Sequence, residues 1–430
     1  MKLPVEHRVL WPSIVLPTLG FFLASLGYHD WMHLGAEYDE IARAIYKGRG
    51  FSDPFKIETG PTAWMPPVLP SLMAAGYWAG GGDRTFVMIL FVVLQWTAIA
   101  TTVGLVLREA IRLGRYGWGL AIALIGLLMN FDLLFAVTHD HALLLLVVNV
   151  LFVVMTRGCE RLSIRATALH GFLGGFMALC NPIVATVWAV WISVTSKSVR
   201  TICVAAVVSI AVITPWTIRN YVVFDRVVPI KSAAKFEFYQ ALCVSRDGIV
   251  GPICFWEHPW SRDNPARREY ASVGEPAFID ARGLPASQKW RESPMDCVDR
   301  LINRFVTATL WSETPSATGV PFVIGVLNRL FYAWPFLSVA VLVAYKPGMD
   351  LVADQTRRNW STAAFVYAGV LLPYVLISYY TRYAAPLIAM KCLLVLYLID
   401  FILRVVRAGR NESHALAPSH HDSHPSGLID

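Results

Sequence analysis

The chain has 430 residues, of which 56% are hydrophobic and 16% charged, and its mean hydropathy is +0.50. Soluble domains carry roughly a quarter charged residues, so this composition excludes an ordinary soluble protein and indicates lipid surroundings. The formal net charge of +7 does not indicate nucleic acid as a partner. Its basic residues stand in short clusters between apolar runs, a pattern typical of membrane topology determinants.

Ten apolar segments follow one another along the chain, and we predict that each is a transmembrane helix. A bilayer core of ~30 Å needs about 20 mostly apolar residues per helical crossing. The segments lie at residues 9–28, 85–107, 117–136, 141–156, 166–180, 182–195, 201–217, 326–345, 360–379 and 384–404. The fifth and sixth are short and meet at Asn181-Pro182, so they form either one broken helix or a tight pair. The predicted fold class is an all-α polytopic membrane protein with about ten (9–12) transmembrane helices in one domain, residues 1–410.

Basic residues occupy every second connection between these segments. Of the 37 Lys and Arg residues, 16 lie there: Lys2, Arg8, Arg108, Arg112, Arg115, Arg157, Arg161, Arg165, Lys197, Arg200, Lys346, Arg357, Arg358, Arg404, Arg407 and Arg410. With ten crossings all of these connections fall on one side. The positive-inside rule places that side, and both termini, in the cytoplasm.

The two long connections, residues 28–84 and 218–327, then face the extracytoplasmic side. The first contains a predicted amphipathic helix on the membrane surface, which begins at Glu37 and ends at Gly48. A second apolar piece, residues 67–79, is only ~20 Å long as a helix and is too short to cross, so we place it at the interface too. Aromatic side chains suit that depth: Trp31, Trp64, Tyr77 and Trp78.

Two acids near this side are candidate site residues. Glu37 opens the surface helix, where a carboxylate is stabilised by free backbone amides; it is either a first-turn acid or a general base beside a lipid-borne substrate. Asp140 stands between His139 and His141 at the outer end of the fourth segment. It is either a hydrated loop residue or a second acid or metal ligand facing the same cavity.

Three cations complete the candidates. Arg219 and Arg382 lie at the outer ends of apolar segments, where an arginine either extends to lipid headgroups or holds a phosphate with its planar fork. Lys391 lies about two turns into the last segment. A bare ammonium costs several kcal/mol there, so it must face a polar cavity or a partner.

Three further features leave alternatives open. Cys243 and Cys254 share the second long connection and could pair. In the same connection Trp256, His258 and Trp260 either stack on a sugar or anchor the segment. Residues 411–430 are polar and predict a disordered cytoplasmic tail, with metal binding by its histidines as the alternative reading.

Three parts of the chain together carry a resemblance to a known family. They are Gly35-Ala36-Glu37-Tyr38-Asp39-Glu40 with the stretches 48–54 and 60–67, Pro215-Trp216-Thr217-Ile218-Arg219-Asn220-Tyr221 with Phe224 and Pro229, and Tyr379-Tyr380-Thr381-Arg382-Tyr383. The first part resembles the first outer loop of bacterial family 39-type glycosyltransferases, and the other two fit the same family. These enzymes belong to the GT-C superfamily, with protein O-mannosyltransferases and the lipid A aminoarabinose transferase.

The resemblance implies a bacterial inner-membrane enzyme that moves a sugar from a polyprenyl-phosphate carrier to a glycan, lipid or protein acceptor at the outer face. It assigns catalysis to Glu37 and Asp140 and donor-phosphate binding to Arg219 and Arg382. The substrate cavity would include Trp64, Asn220, Tyr383 and Lys391, and a divalent metal is a possible cofactor. Better-known members carry an Asp-Glu pair where Leu34-Gly35 stands here, so Asp30 and Asp39 are alternative bases. Residues 220–318 would form a helical lid that excludes water.

Two other classes compete with this interpretation. A transporter or lipid flippase would use broken helices like the one at Asn181-Pro182, with ionisable groups near mid-bilayer. A non-catalytic assembly subunit would keep the fold without needing the acids. The candidate acids and arginines map to the outer end of the segments, and we see no internal repeat in the sequence, so the enzyme hypothesis is preferred.

Overall fold

The computed structural model describes residues 5–25, 34–56, 58–131, 134, 139–158, 162–260, 264–310, 322–345 and 348–415. Within these ranges the regular elements are helices, and the only β pairings are three isolated bridges. The predicted all-α class is confirmed. Asp30, Trp31, Lys2, Arg161 and Lys346, and the tail beyond residue 415, lie outside the described residues.

Sixteen α-helices are present in the described part of the chain. They are α1 (Val5–Ser25), α2 (Glu37–Tyr46), α3 (Val68–Ala79), α4 (Thr85–Arg112), α5 (Tyr116–Met129), α6 (His141–Arg157), α7 (Ile164–Cys180), α8 (Pro182–Thr195), α9 (Val199–Phe224), α10 (Ala234–Tyr239), α11 (Pro265–Val273), α12 (Glu275–Glu292), α13 (Pro294–Thr309), α14 (Phe322–Ala344), α15 (Asp354–Ile377) and α16 (Ile388–Ala415). A π-turn at Gln240–Val244 and 3-10 turns at Pro252–Glu257, Met349–Leu351 and Thr381–Leu387 complete the set. The chain remains helical to Ala415, five residues into the segment predicted as a tail.

Four of the described helices are long and apolar enough to cross a membrane: α4, α9, α15 and the segment Thr381–Arg410 that contains most of α16. Shorter apolar helices lie at Leu10–Leu23, Tyr116–Met129, His141–Arg157, Ile164–Cys180, Pro182–Thr195 and Tyr332–Ala344. Together they coincide with the ten predicted segments. The apolar helices indicate a membrane protein, while ten crossings stay a prediction.

Helix α16 forms the centre of the bundle. It packs against α4, α5, α14 and α15, and 83% of its most apolar window is buried. For α9 the same fraction is only 17%, so most of the α9 surface is left for lipid. Helix α16 is therefore central in the bundle, and α9 is peripheral.

The two short helices at Asn181-Pro182 form a tight pair. Asn181 has extended backbone angles, and its Oδ1 accepts a hydrogen bond from the Ile183 backbone N–H, which caps α8. A Cβ on Gly174 of α7 would lie 2.5 Å from the Trp188 ring of α8, so the two helices fold back on each other. On its other face α7 packs closely against α9 through Gly171 and Gly175. Small residues four apart allow such close backbone approach in membrane helices.

At one end of the bundle, buried charges are paired with each other. We call this the basic end and define it by Arg112, Arg115 and Arg404. The Glu109 carboxylate accepts hydrogen bonds from Arg112, Asn359 and Tyr397, which joins α4, α15 and α16. Asp400 pairs with Arg115 and Arg404 at 3.0 and 2.7 Å. Each of these acids therefore has a structural role.

The opposite end, defined by residues 34–84 and 225–310, is the loop end. Here α2 begins at Glu37 as predicted, but its apolar face is covered by α3, since Ile41 and Ala42 are completely buried. That face is therefore not free to lie in lipid, because a neighbouring helix already removes it from solvent. Helices α10 to α13 confirm the helical character predicted for the second long connection, whose residues 311–321 lie outside the described part.

Candidate functional site

A cavity of about 510 Å³ lies at the loop end, between the long connections and the ends of the apolar helices. Its polar lining comes from Glu37, Tyr38, His139, Asp140, His141, Asn181, Lys231, Glu237, Gln240, His258, Ser378, Tyr380, Arg382 and Tyr383. Trp64, Phe236, Phe255, Trp260 and Tyr374 add aromatic walls. Five of the eight predicted site residues are thus brought together: Glu37, Asp140, Arg382, Trp64 and Tyr383.

Glu37 reaches the cavity because the chain turns sharply before α2. Gly35 and Ala36 both have positive φ (69° and 46°), a conformation that is costly for alanine. Burial raises the pKa of the Glu37 carboxyl, Arg382 and Lys231 oppose that rise, and Asp140 adds to it. A buried acid with a raised pKa is a stronger base once it is deprotonated.

Asp140 faces Glu37 from the start of α6. One of its oxygens, Oδ2, accepts a hydrogen bond of 2.9 Å from the Tyr38 hydroxyl. Although Asp140 occupies the N-cap position, its side chain makes no capping hydrogen bond. The carboxylate is therefore held toward the cavity by α2 and is not used to stabilise its own helix.

Arg382 supplies the positive charge opposite these acids. It lies over the rings of Tyr380 and Tyr383, with its guanidinium carbon 4.9 and 5.7 Å from their centroids. Tyr383 in turn stacks on Tyr374 at 4.3 Å. In the part of the chain that the structure describes, no carboxylate lies within 4.0 Å of Arg382. Its fork of donors is therefore available to an anion.

A second cation, Lys231, lines the cavity and was not among the residues predicted from the sequence. Its Nζ lies 2.5 Å from Glu237 Oε1. Burial works against the charged amine, but Glu237, together with Tyr374 and Asp140, more than compensates, and the pKa of Lys231 is raised. It lies two residues beyond Pro229, the last residue of the second part that carried the family resemblance, and that proximity was the only signal in the sequence.

His258 also lines the cavity, and it belongs to the second long connection. Its ring is surrounded by Phe55, Trp64, Phe236 and Phe255, with centroids 5.5 to 5.8 Å away. Of its two predicted neighbours, Trp260 lines the cavity, whereas Trp256 is 79% exposed.

Asp39, an alternative base, is occupied elsewhere. Its carboxylate accepts hydrogen bonds from the Tyr77 hydroxyl and from Arg43, and Arg84 lies 3.5 Å away. These contacts tie α2 to α3, and Asp39 is not among the cavity residues. Of the described first-loop candidates, Glu37 is the acid that faces the cavity.

Three predicted site residues lie outside the cavity lining. The Arg219 guanidinium donates to the backbone carbonyls of Phe51 and Thr62, at 2.5 and 2.7 Å. Asn220 is completely buried; it accepts from Arg219 and donates to the Val228 carbonyl. Both residues therefore hold the loops in position. Three of the five N–H donors of Arg219 are used in this way, on both terminal nitrogens, so its fork is committed to the loops and not directed at a phosphate.

Lys391 is the third of these residues. It is completely buried, and its Nζ lies 3.9 Å from the centroid of the Tyr332 ring. Within the described ranges Nζ has no hydrogen-bond partner. The ammonium of Lys391 therefore contacts the face of the Tyr332 ring and does not face a polar cavity.

Neither a disulfide nor a metal cluster is formed by the described residues. Cys243 and Cys254 are both free thiols. No group of three or more His, Cys, Asp and Glu side chains comes together in a metal-binding arrangement in the described ranges.

Comparison with protein-family models, with curated proteins and with solved structures gave no match to this chain. The site geometry and the sequence resemblance are therefore the basis for a functional proposal.

Proposed function

We propose that the chain is a membrane glycosyltransferase of the GT-C type, which moves a sugar from a polyprenyl-phosphate carrier to an acceptor at the extracytoplasmic face. One observation carries the proposal. The loop-end cavity gathers Glu37, Asp140 and Arg382, and among the described residues no carboxylate pairs with Arg382, whereas Glu109 and Asp400 of the basic end are each paired with arginine. Charges left unpaired in a buried cavity cost stability, which indicates selection for binding or chemistry.

The arrangement suits a single displacement at the anomeric carbon of the sugar. Glu37 removes the proton from the acceptor hydroxyl as the new carbon–oxygen bond forms. The bond from the anomeric carbon to the carrier phosphate breaks, and Arg382 and Lys231 offset the charge on the departing polyprenyl phosphate. One displacement inverts the anomeric configuration.

Cavity size and topology support the same class of substrate. A volume of about 510 Å³ is within the range of small-molecule sites, roughly 300–1,000 Å³. It accommodates a sugar and a phosphate headgroup, while the long isoprenoid tail would stay in the bilayer. We also propose that the chain crosses the bacterial inner membrane ten times and that both termini lie in the cytoplasm.

The transport alternative has less support. It requires ionisable groups near mid-bilayer that line a pathway. Lys391 is the deep cation predicted from the sequence, and it is buried against Tyr332 outside the cavity. No specific contact of the described residues favours a transporter.

The test uses the protein in lipid nanodiscs with a panel of undecaprenyl-phosphate-linked sugars, and measures released undecaprenyl phosphate. Glu37→Gln should lower the rate by about 100-fold or more. Glu40→Gln, on the same helix but outside the cavity lining, is the matched control and should remain active. In the unmodified protein, activity should fall as pH decreases through the raised pKa of Glu37, because the protonated acid cannot act as a base.

Two outcomes contradict the proposal in different ways. If Glu37→Gln transfers sugar at the rate of the unmodified protein, Glu37 is not the catalytic base. Absence of release from every donor, with carrier binding unaffected by Arg382→Gln, removes the enzyme class and leaves the assembly-subunit hypothesis.

A further inference from the structure

His258 brings a polar atom of the second long connection close to the proposed base. Its Nε2 lies 3.7 Å from Glu37 Oε1. Both side chains are about nine-tenths buried. The distance alone would suit a loose ion pair, so the protonation state of the imidazole decides what the contact is.

Its environment and its hydrogen bonding both indicate a neutral imidazole. Burial, followed by the positive charges of Arg382 and Lys231, lowers the pKa of His258 to about 3. A neutral imidazole carries one proton, on either Nδ1 or Nε2. The backbone N–H of Trp260 donates to Nδ1 at 3.2 Å, so Nδ1 holds the lone pair. The proton is therefore on Nε2, the atom that faces Glu37.

The ring is also fixed in direction. Phe55, Trp64 and Phe236 meet it edge-on, at interplanar angles of 89°, 90° and 74°. Asn264 donates to the His258 carbonyl at 3.3 Å and holds the turn before α11. A side chain packed on several faces keeps one rotamer, so the N–H cannot turn away from the carboxylate.

From this geometry we infer that His258 is a positioning residue for Glu37. Its Nε2–H directs Glu37 Oε1 and leaves Oε2 to accept the proton of the acceptor hydroxyl. Glu37 therefore gains its orienting N–H group only when the second long connection is packed in place. The inference deepens the proposed function and depends on it for the role of Glu37.

The separation of 3.7 Å is longer than a hydrogen bond, which needs about 3.2 Å or less. At this distance the Nε2–H dipole still favours the charged carboxylate in the empty protein, because both groups are buried and poorly screened by water. Three other charged groups act on Glu37, namely Asp140, Lys231 and Arg382. None of them lies in residues 252–260, and His258 connects that segment to the base.

A purely structural histidine, held only by its aromatic neighbours, is the competing explanation. His258→Phe separates the two, because phenylalanine keeps the ring and its edge contacts but removes the N–H. His258→Gln is the rescue variant, since its side-chain amide places an N–H near the original Nε2. Phe236→Leu is the packing control, because it removes one ring contact and keeps the imidazole.

The experiment measures the pH dependence of carbodiimide labelling of Glu37 in nanodiscs, read by mass spectrometry. Carbodiimides react with the protonated carboxyl, so the labelling midpoint reports its pKa and needs no sugar donor. A donor to the carboxylate stabilises the charged form. In His258→Phe the midpoint should therefore move up by about one pH unit or more, while His258→Gln and Phe236→Leu should stay near the unmodified protein.

An unchanged midpoint in His258→Phe overturns the inference, as does an equal upward shift in Phe236→Leu or His258→Gln. In the transfer assay His258→Phe should lower kcat with little change in KM, because the donor is still bound. The positioning role of His258 and the glycosyltransferase function can be tested separately. If the midpoint shifts in His258→Phe but the unmodified protein transfers sugar from no donor, the Glu37–His258 contact is supported and the proposed enzyme class is wrong.

Discussion

Glu275 joins the two long connections, and its replacement by glutamine should release them from each other. This buried carboxylate, at the start of α12, accepts four hydrogen bonds from Thr62, Ala63, Ser232 and Tyr270, at 2.5 to 2.8 Å. Burial and the nearby Glu275 charge raise the pKa of Tyr270 well above its ordinary range, so its hydroxyl keeps the proton and donates. Four donors thus depend on one acidic side chain.

Glutamine has the same shape but one acceptor oxygen, which accepts at most two hydrogen bonds. Two buried donors are then left unsatisfied, at about 1–3 kcal/mol each. The loss of about 2–6 kcal/mol corresponds, at ~1.4 kcal/mol per tenfold change, to an opening equilibrium at least about 30-fold larger. Trp64, which lines the cavity, follows Ala63 directly, so opening would also expose the site.

Limited proteolysis in nanodiscs measures this opening, because the cleavage rate follows the open population when closing is fast. In Glu275→Gln, cleavage within residues 225–310 should be at least about 30-fold faster. Glu269→Gln is the matched control. Glu269 pairs with Arg282 but is 42% exposed, and such surface pairs contribute about 0–1 kcal/mol. Equal cleavage rates for the two variants would refute the reasoning.

Two more predictions concern helix packing and the anion site. Gly175→Ala should lower the thermal midpoint, because its Cβ would lie 2.6 Å from Val212 Cβ; Gly117→Ala, with no atom within 4 Å, should not. Arg382→Gln should weaken binding of undecaprenyl phosphate by about 10- to 100-fold, measured by tryptophan fluorescence titration. Arg219→Gln is its control: its guanidinium already binds carbonyls, so it should lower stability and leave affinity unchanged, and a loss of affinity there would contradict the assignment.

The sequence predicted those features that depend on local pattern. Each of the ten apolar segments coincides with a helix because hydropathy acts over a window of neighbours. The position of Glu37 at the start of α2 followed from helical spacing and from the glycine at residue 48. Placement of Asp140 and Arg382 in one cavity with Glu37 followed from their common position at the outer ends of segments.

Features that depend on contacts between distant parts of the chain could not be predicted. Arg219 donates to carbonyls 157 and 168 residues earlier. The position of Arg219 in the sequence does not indicate whether its guanidinium binds a backbone carbonyl or a phosphate. Lys231 and His258 enter the cavity only because the second long connection folds over α2 and Trp64, and the separation of Asp39 from Glu37 depends on Tyr77 in α3.

The central position of α16 has a consequence for how the bundle is made. This helix follows in the chain every helix that it packs against, and the turn at Thr381–Leu387 that carries Arg382 immediately precedes it. During synthesis the helices that surround this axis are therefore made before the helix that fills it. Arg382 reaches the cavity in the same step that fills this axis, so the proposed anion site depends on the packing of α16.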